Sequence, residues 1–264
     1  MTIDKRARTH GAGGSYRSQN GEDRWLDAHF GGKRSGFFVE VGAYDGVNLS
    51  NTYHFEQSGW SGILVEPDPE MAALCRRERT RSRTFECAVG GPESKGEISF
   101  FRVAGGEAYS TTSLTAAHRE RLDRLGLRWH EVRVPVRTLD SILEEARPSQ
   151  VDFVSIDVEG GEMAVLSGFD IRRWKPAVVI VETNTRTRDP AVRNYFVANG
   201  YAYHHSIDVN DFYLPAEAGG VPAGVLDGAR YLRHRLARRL ARSRHLALRA
   251  WRKHVLGRFA SPGR

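Results

Sequence analysis

Short apolar runs recur along this chain, and the stretches between most of them carry apolar residues at helical spacing. Candidate strands rich in β-branched and aromatic residues lie at 37–41, 63–65, 84–88, 153–156, 178–181, 201–205 and 212–214. Residues 139–146 and 191–198 repeat apolar positions as a helix does, and 70–78 has helix-forming composition once Pro67 and Pro69 have ended the preceding strand. Strand and helix thus alternate, which predicts a largely parallel sheet covered on both faces. Two further strand candidates, 98–102 and 132–136, flank the polar run YSTTS at 109–113. They predict an insertion between the third and fourth core strands that contributes to a substrate lid. No window approaches the ~20 apolar residues of a membrane span.

The first strand runs directly into glycines. In FFVEVGAYDG, Gly42 and Gly46 allow backbone conformations and close approaches that a Cβ would block. Tyr44 and Val47 stand where a GxGxxG fingerprint needs its second and third glycines, so a pyrophosphate cradle is disfavoured. An acidic residue, one residue, a glycine and a second glycine four positions later resemble the first motif of class I S-adenosylmethionine-dependent methyltransferases. That cofactor carries an ammonium and a sulfonium, which suit an acidic turn. Glu40, ending an apolar run, is costly to bury unpaired and is expected to meet a cationic or donor-bearing ligand. Glu66 follows the second strand, 20 residues past Gly46, where a doubly wound fold places the acid that binds ribose hydroxyls.

Ligands of such sheets sit outside the carboxyl ends of the strands. The fourth strand ends in Asp157, Val158, Glu159, Gly160 and Gly161, and the fifth in Glu182, Thr183 and Asn184. Asp157, Glu159 and Glu182 are therefore the candidate catalytic groups, as a general base for an acceptor hydroxyl. The alternative is a hard divalent cation such as Mg2+ on Asp157, Glu182 and Asn184, holding that hydroxyl as an alkoxide. Glu159 and Glu182 also suit helix capping or pairing with a cation. The loop after the fourth strand reads DVEGG rather than the Pro-Pro-aromatic loop of enzymes that methylate amino nitrogens, which favours oxygen as acceptor. Before the first strand, Ser18 or Asn20 is a candidate helix cap, with Trp25, Leu26 and Phe30 on the apolar side. Gln19, Glu22 and Asp23 are either capping residues or ligand contacts.

Charge divides the chain. From Gly219 onward twelve Lys and Arg face Asp227 alone, a net of +11, so the preceding residues carry −4 of the chain's total of +7. The basic character belongs to the tail and gives no ground for a nucleic-acid function of the body. Residues 1–14 read as a disordered N-terminus without a signal peptide, 15–215 as one catalytic domain, and 216–264 as a basic amphipathic helical tail. Leu232, Leu236, Leu240, Trp251 and Phe259 lie between its arginines. An anionic membrane surface is the preferred partner of the tail, ahead of a second protein or RNA. Two cysteines, Cys75 and Cys87, are too few for a disulfide framework, so a cytoplasmic protein is expected, peripheral to the inner face of the membrane where the tail docks.

SQNGED at 18–23, FFVEVGAYDG, GILVEPDP, VPVRTLDSIL at 134–143 and VDFVSIDVEGGEMAVLSGF at 151–169, in this order, are similar to the FkbM family of methyltransferases. The resemblance covers about residues 15–214. It implies a class I methyltransferase Rossmann-like fold with a mostly parallel seven-stranded sheet, S-adenosyl-L-methionine as donor, and O-methylation of a sugar, glycolipid, polysaccharide or natural-product hydroxyl. Carried onto this chain, Glu40, Gly42, Asp45 and Gly46 would line the methionine end of the cofactor, Glu66 the ribose, and Ala88 with Val89 the adenine region. Asp157 and Glu159 match the family's IDVEG element, and Asp157 is expected at the cofactor as well. The competing function class is a non-catalytic, methyltransferase-like module that docks on membrane or nucleic acid through the basic tail.

Overall fold

A computed structural model of the chain describes residues 15–183 and 190–216. In chain order it runs α1 (Glu22–His29), β1 (Phe37–Val41), α2 (Tyr53–Gln57), β2 (Ser61–Val65), α3 (Pro69–Glu78), β3 (Ser82–Phe85), β4 (Ala88–Val89) and β5 (Glu97–Ala104). There follow α4 (Ala116–Leu125), β6 (Arg128–Arg137), α5 (Leu139–Ala146), β7 (Phe153–Ile156), α6 (Glu162–Ser167), α7 (Ile171–Trp174), β8 (Val178–Glu182), α8 (Pro190–Ala198), β9 (Tyr201–Ile207) and β10 (Asn210–Pro215). Seven strands form the main sheet in the order β3-β2-β1-β7-β8-β10-β9. The first five are mutually parallel, and β10 is antiparallel to both its neighbours. This is the class I Rossmann-like sheet expected from the sequence. The chain order steps outward from β1 to β3 and resumes at β7 beside β1, which puts a topological switch point at the β1–β7 boundary.

The period of two along β1 assigns its residues to the two faces. Val39 and Val41 join Ile63, Val65, Val154, Ile156, Val179 and Val181 in a core closed by Leu139, Ile142, Leu143 and Phe196 from α5 and α8. Phe38, Leu64, Phe153, Val178 and Ile180 face the other way, onto Leu26 of α1, Phe55 of α2 and Trp60. Glu40 follows Phe38 by two residues and so lies on the same side of the sheet as α1 and α2.

The third strand is shorter than expected. Pairing with β2 covers Ser82 to Phe85, after which the chain leaves the main sheet, and Ala88 and Val89 pair in parallel with β6. β6 is also antiparallel to β5 over eight residue pairs, and Ala88, Phe100, Val134 and Val136 make a small core of their own. The insertion expected between the third and fourth core strands is therefore a three-stranded sheet carrying α4. That helix starts at Thr115, whose hydroxyl oxygen accepts from His118 N, and stops at left-handed Gly126. Helix α1 begins at Glu22 with Gly21 as its cap, not Ser18 or Asn20. The Ser18 hydroxyl instead donates to the Asp23 carboxylate at 2.6 Å. The expected N-terminal segment 1–14, Asn184 and the basic tail beyond residue 216 lie outside the described residues. Among the described residues no helix is long and apolar enough to cross a membrane.

Candidate active site

β1 leaves the sheet through Gly42, at φ 85°, where a Cβ would stand 1.7 Å from the Asp157 carbonyl oxygen. Only glycine meets both conditions. Gly42 N and Ala43 N donate to the Val65 carbonyl at 2.9 and 3.2 Å, and Asp157 N donates to the Val41 carbonyl at 3.0 Å. The ends of β2, β1 and β7 are thereby fastened side by side. A recess of about 550 Å³ opens above them, lined by Gly42, Tyr44, Glu66, Ala88, Val89 and Asp157 and roofed by Phe100 and Thr111 of the insertion. A second recess of about 1140 Å³ shares Gly42, Tyr44 and Asp157 with the first and extends over Asn48, Tyr109, Arg121, Glu159, Glu182 and Asp208.

The sequence-predicted cofactor residues fall into two groups. Gly42, Glu66, Ala88, Val89 and Asp157 line the smaller recess. Glu66 is buried and accepts from Tyr44 N at 2.8 Å and Asp68 N at 2.9 Å, one on each oxygen, leaving a lone pair on each for a further donor. Burial pushes its pKa up to about 8, against the pull of those two backbone donors. Asp45 and Gly46 line neither recess. Asp45 caps the following turn, accepting from Val47 N and Asn48 N at 2.9 and 2.7 Å.

Glu40 reaches the larger recess and is also surrounded by donors from the chain itself. Ser50 Oγ, Thr52 Oγ1 and Asn51 N donate to it at 2.8, 2.6 and 2.9 Å, and Arg79 Nη1 stands 3.7 Å away. Fully buried Arg79 also donates to Glu56 at 2.9 Å, to the Gly46 carbonyl at 2.8 Å and to Thr52 Oγ1 at 2.8 Å. Burial raises the Glu40 pKa, and the Arg79 charge opposes that rise. Nothing in the arginine-rich run 76–81 marks Arg79 as the one that turns inward.

Asp157, Glu159 and Glu182 converge, their oxygens within 4.8 Å of one another. Asp157 is open to solvent through the recesses yet enclosed by protein on its other sides, and that enclosure raises its pKa. A hydrogen bond from Glu182 and the charge of Arg121 pull it back, whereas Glu22 raises it further. Glu182 is raised by burial first and by the Asp157 charge second. Burial thus raises both carboxyls of the pair, which favours holding a proton between them. Glu159 sits at φ 54°, a strained position for a glutamate, and the insertion holds it there. Arg121 Nη1 donates to its carboxylate at 2.8 Å, and Thr111 Oγ1 donates to its carbonyl at 2.9 Å. The YSTTS run, read as part of a substrate lid, gave no sign of this contact, and neither did Arg121, in a helix the apolar pattern did not reveal.

Of the N-terminal candidates, Gln19 lines the larger recess. Glu22 and Asp23 are buried and engaged: Asn210 Nδ2 donates to Glu22 at 2.8 Å, and Ser18 N to Asp23 at 2.9 Å.

A family profile described as the methyltransferase FkbM domain matches residues 40–203, more than half of the chain. The chain belongs to the FkbM methyltransferase family. It is an S-adenosylmethionine-dependent methyltransferase. No curated protein matches the sequence. Among solved structures, the FkbM chain is similar to a TehB-like SAM-dependent methyltransferase from Corynebacterium glutamicum, at 11% identity and TM-score 0.41, over 75% of this chain and 88% of that one. It is also similar to a 1,6-didemethyltoxoflavin-N1-methyltransferase from Burkholderia thailandensis, at 14% identity and TM-score 0.36, over 74% and 77% of the two chains. A putative O-methyltransferase from Klebsiella pneumoniae is 9% identical, with TM-score 0.37 and coverage of 77% and 83%.

The recesses of this FkbM protein fit the donor. The smaller one has an apolar end at Ala88, Val89 and Phe100 and a carboxyl group at Glu66, the chemistry that an adenine and a ribose require. A divalent cation fits less well. Its three oxygen ligands are the right type, but Arg121 already neutralises Glu159 at 2.8 Å.

Proposed function

We propose that this methyltransferase moves the methyl group of S-adenosylmethionine to a hydroxyl oxygen of a sugar, glycolipid, polysaccharide or natural-product acceptor. In this reading Asp157 is the general base. The supporting observation is the position of Asp157 at the junction of the two recesses, with carboxylate oxygens of Glu159 and Glu182 within 4.8 Å of it. The cofactor supplies the electrophilic methyl on its sulfonium. Glu66 would bind its ribose hydroxyls, Ala88 and Val89 would flank its adenine, and Gly42 with Tyr44 would bring the methyl-bearing end to Asp157. Glu40, Asp45 and Gly46 would act from behind by shaping that turn. With the donor and an acceptor bound, Asp157 would take the hydroxyl proton as the oxygen gains the methyl group and S-adenosylhomocysteine leaves. Orienting acceptor and donor in adjoining recesses would supply most of the acceleration. Glu182 would keep the Asp157 carboxylate in place by donating its proton, and Glu159 would hold Arg121 over the site.

Titration of the purified protein with S-adenosylhomocysteine, before and after Glu66→Ala, tests the cofactor assignment. Loss of binding in the variant supports it, and equal affinity sinks it. Asp157→Asn should lower turnover by about 10²–10⁴-fold, the usual worth of a positioned base, with homocysteine-product affinity within threefold of wild type. Turnover should survive chelation, because no step uses a cation. A tenfold loss restored by Mg2+ would instead place that ion on Asp157 and Glu182.

A further inference from the structure

We propose that Gln19 is a specificity-determining residue of the methyl transfer: its side-chain amide binds a second hydroxyl of a polyhydroxylated acceptor in the larger recess and so orients the reacting hydroxyl toward Asp157. This inference rests on the hydroxyl-transfer reading above and adds an acceptor contact to it.

Gln19 lines the larger recess, as Asp157 does, and comes from the segment before α1. Its neighbours on both sides are held by buried carboxylates of that helix's first turn. Asp23 accepts from Arg17 N at 2.6 Å and Ser18 N at 2.9 Å on one oxygen, and from the Ser18 hydroxyl at 2.6 Å on the other. Glu22 accepts from Asn20 N at 2.8 Å on one oxygen and from Asn210 Nδ2 at 2.8 Å on the other. Asn210 stands opposite Glu182 in the β8–β10 pairing, and Ser18 bridges in parallel to Leu49, which also lines the recess. Burying two carboxylates is costly. What their hydrogen bonds secure is the backbone on either side of Gln19, tied on one flank to the turn after β1 and on the other to the strand beside Glu182.

The side chain between these anchors is unspent. It is exposed, and its amide makes no hydrogen bond among the described residues. The other amides lining the recess are committed: Asn48 donates to Asp45 at 2.6 Å, and Asn51 to Ser155 Oγ at 2.9 Å. A side-chain amide offers two N–H donors and a carbonyl acceptor, which a hydroxyl can meet as acceptor and donor. The reacting oxygen is the poorer partner for it. An N–H on that oxygen would hold electron density that has to reach the methyl carbon, whereas a second hydroxyl carries no such conflict. Holding that second group restricts the acceptor's rotation and leaves the reacting hydroxyl to Asp157.

The full-length protein, saturated with S-adenosylhomocysteine, is presented with methyl glycosides of several hexoses and with their monodeoxy counterparts, each lacking one hydroxyl. Saturation-transfer NMR titrations read binding, and labelled methyl transfer from S-adenosylmethionine reads turnover on the same panel. Gln19→Leu should weaken a parent glycoside about three- to tenfold, the worth of one neutral hydrogen bond. One of its monodeoxy counterparts, already weaker by as much, should bind the variant and the wild type equally. Melting temperature and S-adenosylhomocysteine affinity should stay at wild-type values, because the replaced side chain holds nothing in the fold. Equal binding of every glycoside by wild type and variant, the same weakening of every monodeoxy counterpart, a lowered melting temperature or cofactor-product affinity, or no glycoside binding at all would each overturn the assignment. Binding with the expected pattern but methyl transfer to no probe would instead count against the hydroxyl-transfer reading, and the Gln19 contact would stand.

Discussion

Replacing Arg79 with methionine tests how the glycine turn is held in place. The guanidinium is fully buried between Glu56 at 2.9 Å and Glu40 at 3.7 Å, and it also serves the Gly46 carbonyl and Thr52. Methionine fills much of the volume and removes every donor, leaving two buried carboxylates without their cation. Removing one partner of a buried ion pair costs about 3–5 kcal/mol. For a domain of this size each kcal/mol shifts Tm by about 2–4 °C, so Arg79→Met should melt about 6–20 °C below wild type. Glu40 keeps its hydroxyl and amide donors and can escape by taking up a proton, since burial already raises its pKa. The deficit should therefore shrink as pH falls and grow as pH rises. Circular dichroism melts at pH 5.5 and 7.5 measure this, with Glu56→Gln made in both backgrounds. If the two groups are coupled, Glu56→Gln costs less when Arg79 is already gone. A melting point within about 2 °C of wild type, or an equal cost of Glu56→Gln in both backgrounds, would refute the account.

Gly42→Ala should cost about 1–2 kcal/mol from its left-handed backbone alone and more from the clash with the Asp157 carbonyl. Calorimetry should then find no S-adenosylhomocysteine binding, and a variant with wild-type melting point and affinity would contradict this geometry. Arg121→Gln removes a charge that holds the Asp157 pKa down, so the acid limb of the pH–rate profile should move to higher pH. An unmoved limb would remove Arg121 from the account. The Glu66 carboxyl, at about 8 in the fold against 4.5 as its ordinary value, binds a proton more tightly folded than unfolded. Its contribution to the stability of the cofactor-free protein is thus present below the ordinary carboxylate range and lost as pH rises through about 8. Glu66→Gln should flatten that decline in melts run from pH 5 to 9, and an unchanged slope would count against it.

The sheet was legible because its strands are short, buried and β-branched, and β1, β7 and α5 have the boundaries that their apolar patterns predict. Where the outline departs from the pattern, a tertiary partner overrides it. Ser82 and Arg83 are strand because β2 lies beside them, and Ala88 with Val89 turns away because β6 does. Helix α4 was hidden because its buried residues are only His118 and Leu122. Glu40 lines the larger recess, as a ligand contact would, but its partners within the chain were not legible. A buried carboxylate does need donors, but these came from Ser50, Asn51, Thr52 and Arg79, and no local pattern announces a cation 39 residues downstream. The catalytic candidates were legible for the opposite reason. Asp157, Glu159 and Glu182 end adjacent parallel strands, so topology alone brings them together.

That convergence also explains how donor and base keep their spacing. Asp157 hangs from a backbone that donates to Val41 and whose carbonyl presses on Gly42, the first residue of the cofactor turn. The proposed base and the proposed donor cradle are thus two sides of one strand crossing, with no mobile loop between them. A displacement of one carries the other along. The adjustable part lies in the insertion, which touches the same site through Thr111 and Arg121 and presents Phe100 and Tyr109 to the two recesses. In the proposed mechanism the parallel sheet would fix the methyl-transfer distance, and the insertion, which pairs Arg121 with Glu159, would shape the acceptor's surroundings. Substitutions in the insertion should accordingly alter which acceptor is methylated before they abolish cofactor binding, whereas substitutions at Gly42 should do the reverse.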